Sequence, residues 1–362
     1  MPTRIPPAKD PVAVMVEQAD DLTPGTSGDG PAMDAAIAAA ATARYRTSPN
    51  PWVGSVVLVD GLIVGTGATE PPGGAHAERS AMDAATLANG GSIVGSTLVT
   101  TLEPCHHEGR TGPCTEAIVA AGVARVVVAI EDPDPQVAGR GIAHLRDAGL
   151  DVVVGIRAVE VAEQLAPYLH HRRTGRPQVV LKMAITLDGR IAAPDGSSRW
   201  ITGPEARADV HRMRAESDAV CVGSGTVRAD DPRLDVRDWP DADAMGSTDP
   251  RRIVLGAIPD GARVLPAEEH HGDLGVLLDR LGDEGVLQLL VEGGAEVAGR
   301  FHREGLVDRV VAYVAPALLG GDDGRPLLAG AGVATMAEAW RGRFTDVRRL
   351  GDDLRIELVP DA

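Results

Sequence analysis

The chain has 362 residues and a formal net charge of −17, and its aromatic residues are only four Trp, three Tyr and two Phe. This length predicts two domains of ordinary size. The acidic excess argues against a large nucleic-acid interface, and so few rings disfavour stacking of bases. No apolar run reaches the roughly 18 residues that a membrane helix needs. Three cysteines are too few for a disulfide scaffold, so we expect a cytoplasmic protein. From the charge, the aromatic content and the hydropathy together, we expect it to bind neither nucleic acid nor membrane.

The first half shows alternating helix and strand patterns after an acidic, proline-rich start. Residues 1–32 are predicted to be a disordered acidic tail. A helix is predicted from Met33 to Arg44, with Asp34 as its cap. The other predicted strands are residues 53–59, 97–102, 125–130 and 151–154, and the helices are residues 77–87, 115–121, 141–148 and 159–170. This alternation predicts an α/β domain over residues 33–172.

A basic segment at residues 170–177, HHRRTGRP, separates this pattern from a second alternating one. Strands are predicted at residues 179–185, 219–223, 252–255, 286–291, 309–314 and 354–359, and helices at residues 204–215, 274–281 and 296–304. Residues 239–248 read as an exposed acidic loop, and residues 266–273 show no strand pattern. We expect a second α/β domain over residues 177–362.

A histidine and two cysteines follow one another in an order that is typical of a zinc site: His76, Cys105 and Cys114. One imidazole and two thiolates bind zinc well and leave a fourth position for water, whose pKa zinc lowers to about 7. Glu78 follows the histidine by two residues, where a carboxylate can take a proton from water and deliver it to a leaving amine. Cys114 lies at a predicted helix start, where the helix dipole favours a thiolate.

The residues alone leave other interpretations of this cluster open. His106 or His107 would complete a structural zinc site, and the thiols could also be buried without metal. Zinc deaminases of nucleobases carry His-x-Glu followed by Pro-Cys-x-x-Cys. This chain has eight residues between its two cysteines instead of two. The combination and its order favour a catalytic site.

The same segments resemble the bifunctional riboflavin-biosynthesis deaminase–reductase family. The resemblance rests on PNPWVG at residues 49–54, on HAE at 76–78 and on EPCHHEGRTGPC at 103–114, and it extends over roughly residues 33–360. It implies a cytidine-deaminase-like α/β/α domain in which the zinc ligands are His76, Cys105 and Cys114 and the proton shuttle is Glu78. It also implies substrate contacts from Asn50, His107 and Arg110.

The second half resembles the reductase domain of the same family. KMAITLDGRIA at residues 182–192 opens it, and SRWIT, GSGT, ADDPRL and VEGG follow in register. The resemblance implies a dihydrofolate-reductase-like α/β domain that uses NADPH. The implied cofactor-binding residues are Ala184, Trp200, Thr226, Asp230, Gly294, Ala295, Glu296, Val297, Ala298, Gly299 and Arg300. The implied substrate-binding residues are Ser198, Arg214, Leu234, Arg237 and Glu292, with Lys182 and Glu292 as catalytic groups near the anomeric carbon.

Two departures from the family pattern bear on the reductase. Residues 266–273 are short and polar where the family has a strand, and Ala257 lies near a position where the family has Ser. Either a shortened sheet edge weakens NADPH binding, or this strand is dispensable.

The leading functional hypothesis is therefore a bifunctional enzyme of riboflavin synthesis. It would deaminate 2,5-diamino-6-(5-phosphoribosylamino)pyrimidin-4-one hydrolytically and then reduce the ribosyl group to a ribityl chain with NADPH. One alternative is a zinc deaminase of nucleosides, nucleobases or tRNA with a degenerate reductase domain. Another is a non-catalytic protein with structural zinc. We also expect a homo-oligomer, either a dimer or a tetramer.

Overall fold

A computed structural model describes residues 25–107, 112–237, 239 and 249–361. The chain divides into two compact units, with the boundary between Thr174 and Gly175. Three predicted features lie wholly or mostly outside the described residues. They are residues 1–24 of the predicted tail, Arg110, and the predicted acidic loop except for Trp239. In the part that the structure describes, no helix is long and apolar enough to cross a membrane.

The first unit is a five-stranded sheet with helices packed on it. Its strands are β1 (Gly54–Val59), β2 (Leu62–Ala68), β3 (Thr97–Leu102), β4 (Arg125–Ile130) and β5 (Asp151–Val154). Its helices are α1 (Asp29–Ala43), α2 (Ala77–Ala88), α3 (Cys114–Ala120), α4 (Arg140–Asp147), α5 (Ala158–Gln164) and α6 (Ala166–Thr174). The strand order is β2-β1-β3-β4-β5, with β3, β4 and β5 parallel and β1 antiparallel to both of its neighbours.

Small residues allow helices of this unit to approach the sheet closely. A Cβ atom on Gly54 in β1 would lie 1.9 Å from the carbonyl oxygen of Ala36 in α1. A Cβ atom on Gly67 in β2 would lie 2.3 Å from the backbone nitrogen of Ala81 in α2. The scarcity of aromatic residues is thus matched by helix–sheet contacts that only glycine permits. These contacts fix α2, which carries Glu78, directly against the sheet.

Two predictions for the first half are wrong in detail. The first helix begins at Asp29 rather than Met33, so Asp34 lies inside it and does not cap it, and its carboxylate pairs with Arg157 at 2.9 Å instead. The predicted helix over residues 159–170 is two helices that are separated at Leu165. Pro167 lies in the first turn of α6, where the lack of an N–H is tolerated, and this favours a new helix start there.

The second unit is built on an eight-stranded sheet of order β10-β9-β8-β11-β6-β12-β15-β14. Its strands are β6 (Gln178–Thr186), β7 (Arg190–Ala192), β8 (Ala219–Gly223), β9 (Arg251–Leu255), β10 (Glu268–His270), β11 (Gln288–Val291), β12 (Arg309–Ala315), β13 (Arg325–Pro326), β14 (Gly342–Leu350) and β15 (Asp353–Pro360). Its helices are α7 (Pro204–Ala215), α8 (Ser224–Asp230), α9 (Leu274–Asp283) and α10 (Ala295–Arg303), and a 3₁₀ turn covers Met336–Glu338. The six neighbouring strands β10, β9, β8, β11, β6 and β12 run parallel. Strand β15 pairs antiparallel with β12, and β14 pairs antiparallel with β15. Strands β13 and β7 form a separate antiparallel pair.

Helices cover both faces of this sheet. Val210 and Met213 of α7 pack with Val220 and Tyr313 in one apolar cluster. The helices α9 and α10 contribute Leu274, Leu277, Leu278, Leu281, Ala298 and Phe301 to another cluster. Because helices cover both faces of a parallel sheet, a ligand site is expected at the carboxyl ends of its strands.

The expectation that residues 266–273 contain no strand is wrong. Glu268–His270 forms β10 and pairs with β9 at the sheet edge. Ion pairs hold this strand, since the Glu268 carboxylate lies 2.6 Å from Arg251 and 3.1 Å from Arg280. A strand anchored by charges shows no apolar alternation, so the pattern did not reveal it.

Candidate active sites

The three predicted zinc ligands lie together in the first unit. The Nδ1 atom of His76 is 3.5 Å from Sγ of Cys105 and 3.3 Å from Sγ of Cys114. A tetrahedral zinc ion with Zn–S bonds of about 2.3 Å and a Zn–N bond of about 2.05 Å requires S···N separations of about 3.5 Å. The three side chains therefore fit zinc. They form the metal-ligand cluster that is present among the described residues.

Local structure explains how these ligands are positioned. His76 immediately precedes α2, Cys105 follows β3, and Cys114 is the first residue of α3. The backbone N–H of Cys114 donates to Sγ of Cys105 at 3.4 Å. This contact and the positive end of the α3 dipole favour the thiolate. The thiol of Cys114 also hydrogen-bonds to Cys105, so the pKa of Cys105 is lowered to about 4.

Glu78 is buried beside the cluster, in the first turn of α2. Burial raises its pKa to about 7, and the neighbouring Cys105 thiolate adds to this increase. A carboxyl group with such a pKa can both accept and release a proton near neutral pH. It is not one of the three clustered ligands, which agrees with a proton-transfer role next to the metal.

The other residues predicted for this site differ in how they are placed. His106 donates to or accepts from the Thr115 hydroxyl at 2.9 Å and stacks on His144, with ring centroids 4.2 Å apart. His107 is exposed, and neither histidine belongs to the clustered ligands. This arrangement gives no support to a four-ligand structural site. Asn50 is partly buried, with its N–H bonded to the Thr47 carbonyl, and Arg110 lies outside the described residues.

A buried charge cluster occupies the second unit. The Arg214 guanidinium holds the Glu292 carboxylate with two hydrogen bonds, Nε to Oε1 at 2.6 Å and Nη2 to Oε2 at 3.0 Å. Lys182 Nζ lies 3.7 Å from the same carboxylate. Burial alone would raise the pKa of Glu292, but the charges of Arg214 and Lys182 outweigh it and lower the pKa to about 2. Burial lowers the pKa of Lys182, and the attraction of Glu292 offsets this only in part.

Three structural elements bring this cluster together. Lys182 lies within β6, Arg214 lies near the end of α7, and Glu292 directly follows β11. Ala184 lies two residues beyond Lys182 on β6 and so shares its face of the sheet. Buried charged groups of opposite sign beside the carboxyl end of a parallel strand, here β11, are typical of a catalytic site.

The loop after α8 reaches the same cluster and includes residues that the sequence did not single out. The carbonyl oxygen of Asp235 accepts from Arg214 Nη1 at 3.2 Å and lies 3.1 Å from Nδ1 of His211. Leu234 is buried and adopts a left-handed backbone conformation with φ of 54°. Arg237 pairs with the Asp235 carboxylate. His211 was missed because its role lies in contacts with a distant backbone, although its position three residues before Arg214 puts both on one helix face.

The predicted cofactor residues are placed at neighbouring strand ends. Helix α10 follows β11 directly, with Gly294 as N-cap and no side chain capping its first turn. A Cβ atom on Gly293 would lie 2.5 Å from the Val297 side chain, and one on Gly294 would lie 3.5 Å from the Thr226 hydroxyl. The N–H groups of the helix N-terminus, which no side chain caps, and the neighbouring Thr226 hydroxyl suit a pyrophosphate. This cradle therefore fits NADPH.

The remaining predicted cofactor residues fall into two groups. Trp200 is exposed beneath the Arg207 guanidinium, whose carbon lies 4.5 Å from the ring centroid, and Arg199 bonds to the Asp230 carbonyl at 2.8 Å. Beyond the first turn of α10, Ala298 is buried in the core and Gly299 packs against the Ala329 carbonyl. Arg300 pairs with Glu304 and donates to the Gly272 carbonyl. Ser198 is partly buried, and its carbonyl accepts the N–H of Ile201.

Comparison with known families assigns both units. Residues 27–130 match the cytidine and deoxycytidylate deaminase zinc-binding region, and residues 177–356 match the RibD C-terminal domain. The riboflavin biosynthesis protein RibD of Escherichia coli is 39% identical over 365 residues, covering 90% of this chain and 98% of that protein. The chain belongs to the RibD family.

Other RibD proteins agree over nearly the whole chain. RibD of Mycobacterium tuberculosis is 44% identical over 340 residues, covering 91% of this chain and 96% of that protein. The structure of Acinetobacter baumannii RibD in form 1 superposes with a TM-score of 0.85 at 38% identity, covering 92% of this chain and 99% of that one. A Thermotoga maritima deaminase/reductase gives a TM-score of 0.82 at 31% identity, with coverage of 92% and 99%. The predicted family and both predicted fold types are confirmed.

Proposed function

We propose that this chain catalyses two consecutive steps of riboflavin synthesis. The first is hydrolytic deamination of 2,5-diamino-6-(5-phosphoribosylamino)pyrimidin-4-one, and the second is NADPH-dependent reduction of the ribosyl group of the product. The observation that carries this proposal is that one chain of the RibD family contains two candidate catalytic clusters. One is the His76–Cys105–Cys114 cluster with buried Glu78, and the other is the buried cluster of Lys182, Arg214 and Glu292.

In the deamination, water replaces the exocyclic amino group and ammonia leaves. Zinc, when bound by His76, Cys105 and Cys114, supplies an activated water molecule. Glu78 takes a proton from water and transfers it to the departing amine, a role that its pKa of about 7 supports. Asn50, His107 and Arg110 are our proposed substrate contacts in this unit.

In the reduction, the ribosyl ring opens as its anomeric carbon receives a hydride and its ring oxygen receives a proton. NADPH, when bound, supplies the hydride. The Lys182 ammonium group donates the proton, and the lowered pKa of Lys182 makes this transfer easier. Glu292 holds Lys182 in place and keeps its own charge, because Arg214 binds both of its carboxylate oxygens.

The proposed ligand contacts of the reductase form two sets, one for the cofactor and one for the substrate. The proposed cofactor residues are Ala184, Trp200, Thr226, Asp230 and Gly294–Arg300, and the uncapped first turn of α10 supports pyrophosphate binding there. The proposed substrate contacts are Ser198, Arg214, Leu234, Arg237 and Glu292. Guanidinium groups suit the sugar phosphate because their N–H groups donate to oxyanions in fixed directions.

We also propose that two copies of the chain associate through the edge of the large sheet. Strand β14 is its edge strand, and Phe344 and Val347 are 67% and 57% exposed. They pair with Leu358 and Ile356 of β15, so all four lie on one face of the sheet. An exposed apolar face of this kind is typical of a subunit interface. Phe344→Lys should convert a dimer to a monomer in light scattering, and an unchanged mass would contradict this interface.

A cytoplasmic location agrees with the state of the cysteines. Cys105, Cys114 and Cys221 are all free thiols. Two of them are proposed zinc ligands, which must stay reduced.

The test is an assay in which ammonia release and NADPH oxidation are followed separately on the purified full chain. With the diamino substrate, we expect ammonia release without NADPH and both signals with it. A zinc chelator should abolish ammonia release but leave NADPH oxidation intact when the deaminated substrate is supplied. Failure of the deaminated substrate to oxidise NADPH would refute the reductase proposal, and persistence of ammonia release in the metal-free protein would refute the zinc-dependent deamination.

A further inference from the structure

His211 lies behind the charge cluster of the second unit and faces the loop after α8. It is 6% exposed, and its neighbour on the same helix face, Arg214, is 9% exposed. The Nδ1 atom of His211 is 3.1 Å from the Asp235 carbonyl oxygen, 3.3 Å from the Arg237 backbone nitrogen and 3.3 Å from Nη1 of Arg214. In the neutral tautomer with its proton on Nε2, this atom accepts from the Arg237 N–H and from Arg214, while the Asp235 carbonyl beside it accepts from Arg214 Nη1.

The same atoms connect the loop to the proposed catalytic carboxylate. Arg214 uses Nε and Nη2 for Glu292, and it uses Nη1 for the Asp235 carbonyl at 3.2 Å. His211 Nδ1 lies 3.3 Å from this third nitrogen and also holds the loop through the Arg237 backbone N–H. Without it, the Arg237 N–H loses its acceptor on the helix, while the Arg214 bond to the Asp235 carbonyl and the Val236 N–H bond to Asp249 at 2.8 Å remain.

The loop itself requires such support. Leu234 has a φ of 54°. This conformation costs a non-glycine residue about 1 kcal/mol or more, and it persists only where the surrounding structure enforces it. Leu234 and Arg237 are both proposed substrate contacts, and they lie on either side of the carbonyl that His211 contacts. A shift of this segment would move the guanidinium of Arg237 without touching Lys182 or the α10 N-terminus.

We propose that His211 is a positioning residue of the reductase site, which fixes the 234–237 backbone against Arg214 and so sets affinity for the phosphorylated sugar. This inference rests on the proposed reductase function. Burial lowers the pKa of His211, and the neighbouring charges of Arg214 and Arg237 lower it further, so the ring is neutral at pH 7. Glu292 also acts on the ring, and Asp235 and Asp249 act on the adjacent Arg214. A neutral ring accepts hydrogen bonds from the two arginines without repelling either.

Two amide substitutions separate positioning by Nδ1 from direct substrate contact by Nε2. The amide of asparagine reaches the position of Nδ1, whereas the longer glutamine carries its amide near the position of Nε2. We expect His211→Gln to raise KM for the ribosylamino substrate about tenfold, the effect of one or two lost hydrogen bonds, with kcat within about threefold. His211→Asn should restore KM to within about threefold of the wild-type value. NADPH binding, measured by fluorescence titration, should be unchanged in both variants.

The exposed His271, which pairs with Glu269, provides a matched control, and His271→Gln and His271→Asn should have no effect. Ammonia release by the other unit of the same chain reports that each variant is folded and correctly quantified. Rescue by Gln rather than Asn, equal impairment in both variants, or a fall in kcat at constant KM would each overturn the proposal.

Binding of ribose 5-phosphate provides a measurement that needs no turnover. It should weaken about tenfold in His211→Gln and recover in His211→Asn, and unchanged binding in His211→Gln would also overturn the proposal. A wild-type chain that oxidises no NADPH would refute the proposed function, whereas the ribose 5-phosphate titration would still decide the role of His211.

Discussion

Glu103 is a buried carboxylate two residues before Cys105, and its replacement by alanine tests how the zinc site is supported. Its Oε2 atom accepts the backbone N–H groups of Asp132 at 3.1 Å and Gly139 at 2.9 Å. Its Oε1 atom accepts those of Gly141 at 2.8 Å and Ile142 at 3.1 Å. Glu103 thus satisfies the N-terminal turn of α4 and joins it to the end of β3.

The expected loss of stability follows from these four hydrogen bonds. Each buried N–H left without an acceptor costs about 1–3 kcal/mol, and water entering the space recovers part of this. We therefore expect Glu103→Ala to lower the free energy of unfolding of the first unit by about 4 kcal/mol. Glu103→Gln keeps one acceptor oxygen and should cost about 2 kcal/mol. For a unit of this size, a loss of 4 kcal/mol corresponds to a fall in Tm of about 8–16 °C.

The same change should loosen the metal site. A Cβ atom on Gly141 would lie 2.1 Å from the Pro104 carbonyl, so the start of α4 is packed directly against the residue before Cys105. If α4 moves, this support is lost, and we expect zinc to be removed faster by a chelator in Glu103→Ala than in the wild type.

Calorimetry of the zinc-loaded full chain can measure this effect as the shift of one unfolding transition. Glu131→Ala is the matched control, because Glu131 is a nearby carboxylate that is exposed. Its effect should stay within about 0.5 kcal/mol. Equal shifts in Glu103→Ala and Glu131→Ala, or a shift below about 2 °C for Glu103→Ala, would refute the reasoning from these hydrogen bonds.

Three other predictions concern single side chains. Glu78→Gln should reduce ammonia release by about 10²–10⁴-fold while zinc content, and NADPH oxidation with the deaminated substrate, stay unchanged, and normal ammonia release would contradict its role as proton shuttle. Glu292→Gln should be less stable than the wild type at neutral pH. Since the pKa of Glu292 is lowered from 4.5 to about 2, this difference in denaturant unfolding should shrink as the pH falls through that range, and a constant difference would contradict it. Asp273→Ala should cost about 1 kcal/mol in the same measurement, because the Asp273 carboxylate caps α9 through the Val276 N–H at 3.0 Å, and no loss would argue against the cap.

The sequence predicted the apolar elements better than the polar ones. The strands at residues 97–102, 125–130 and 151–154 and the helix at 204–215 have the predicted bounds. Strand β2 was not predicted, because Gly65 and Gly67 interrupt its apolar pattern to make room for α2. Strand β14 was not predicted either, since GRFTDVRRL is rich in arginine and contains a bulge that disturbs its alternation.

The sequence predicted the site residues that belong to a recognisable motif, but not the residues whose side chains act by hydrogen bonding to distant backbone groups. His76, Cys105 and Cys114 were predicted as ligands, and the structure brings them together. Glu103 and His211 act on backbone groups 24 to 39 residues away, and no spacing in the sequence reveals such contacts. Only the folded chain brings the partner backbone groups, such as the Gly139 N–H and the Asp235 carbonyl, next to these two side chains.

The charges around the reductase cluster explain why backbone positions matter to substrate binding. The chain has a net charge of −17, and from the sequence we expect Arg110, Arg214 and Arg237 to counter it locally. Arg214 is already paired with Glu292, and Arg237 is paired with Asp235, so these two charges are largely compensated before a phosphate arrives. Net attraction by charge alone is therefore weak, and affinity depends on guanidinium N–H groups that point in fixed directions. Directional donors hold a phosphate only if their backbone is fixed, which is the task that we assign to His211.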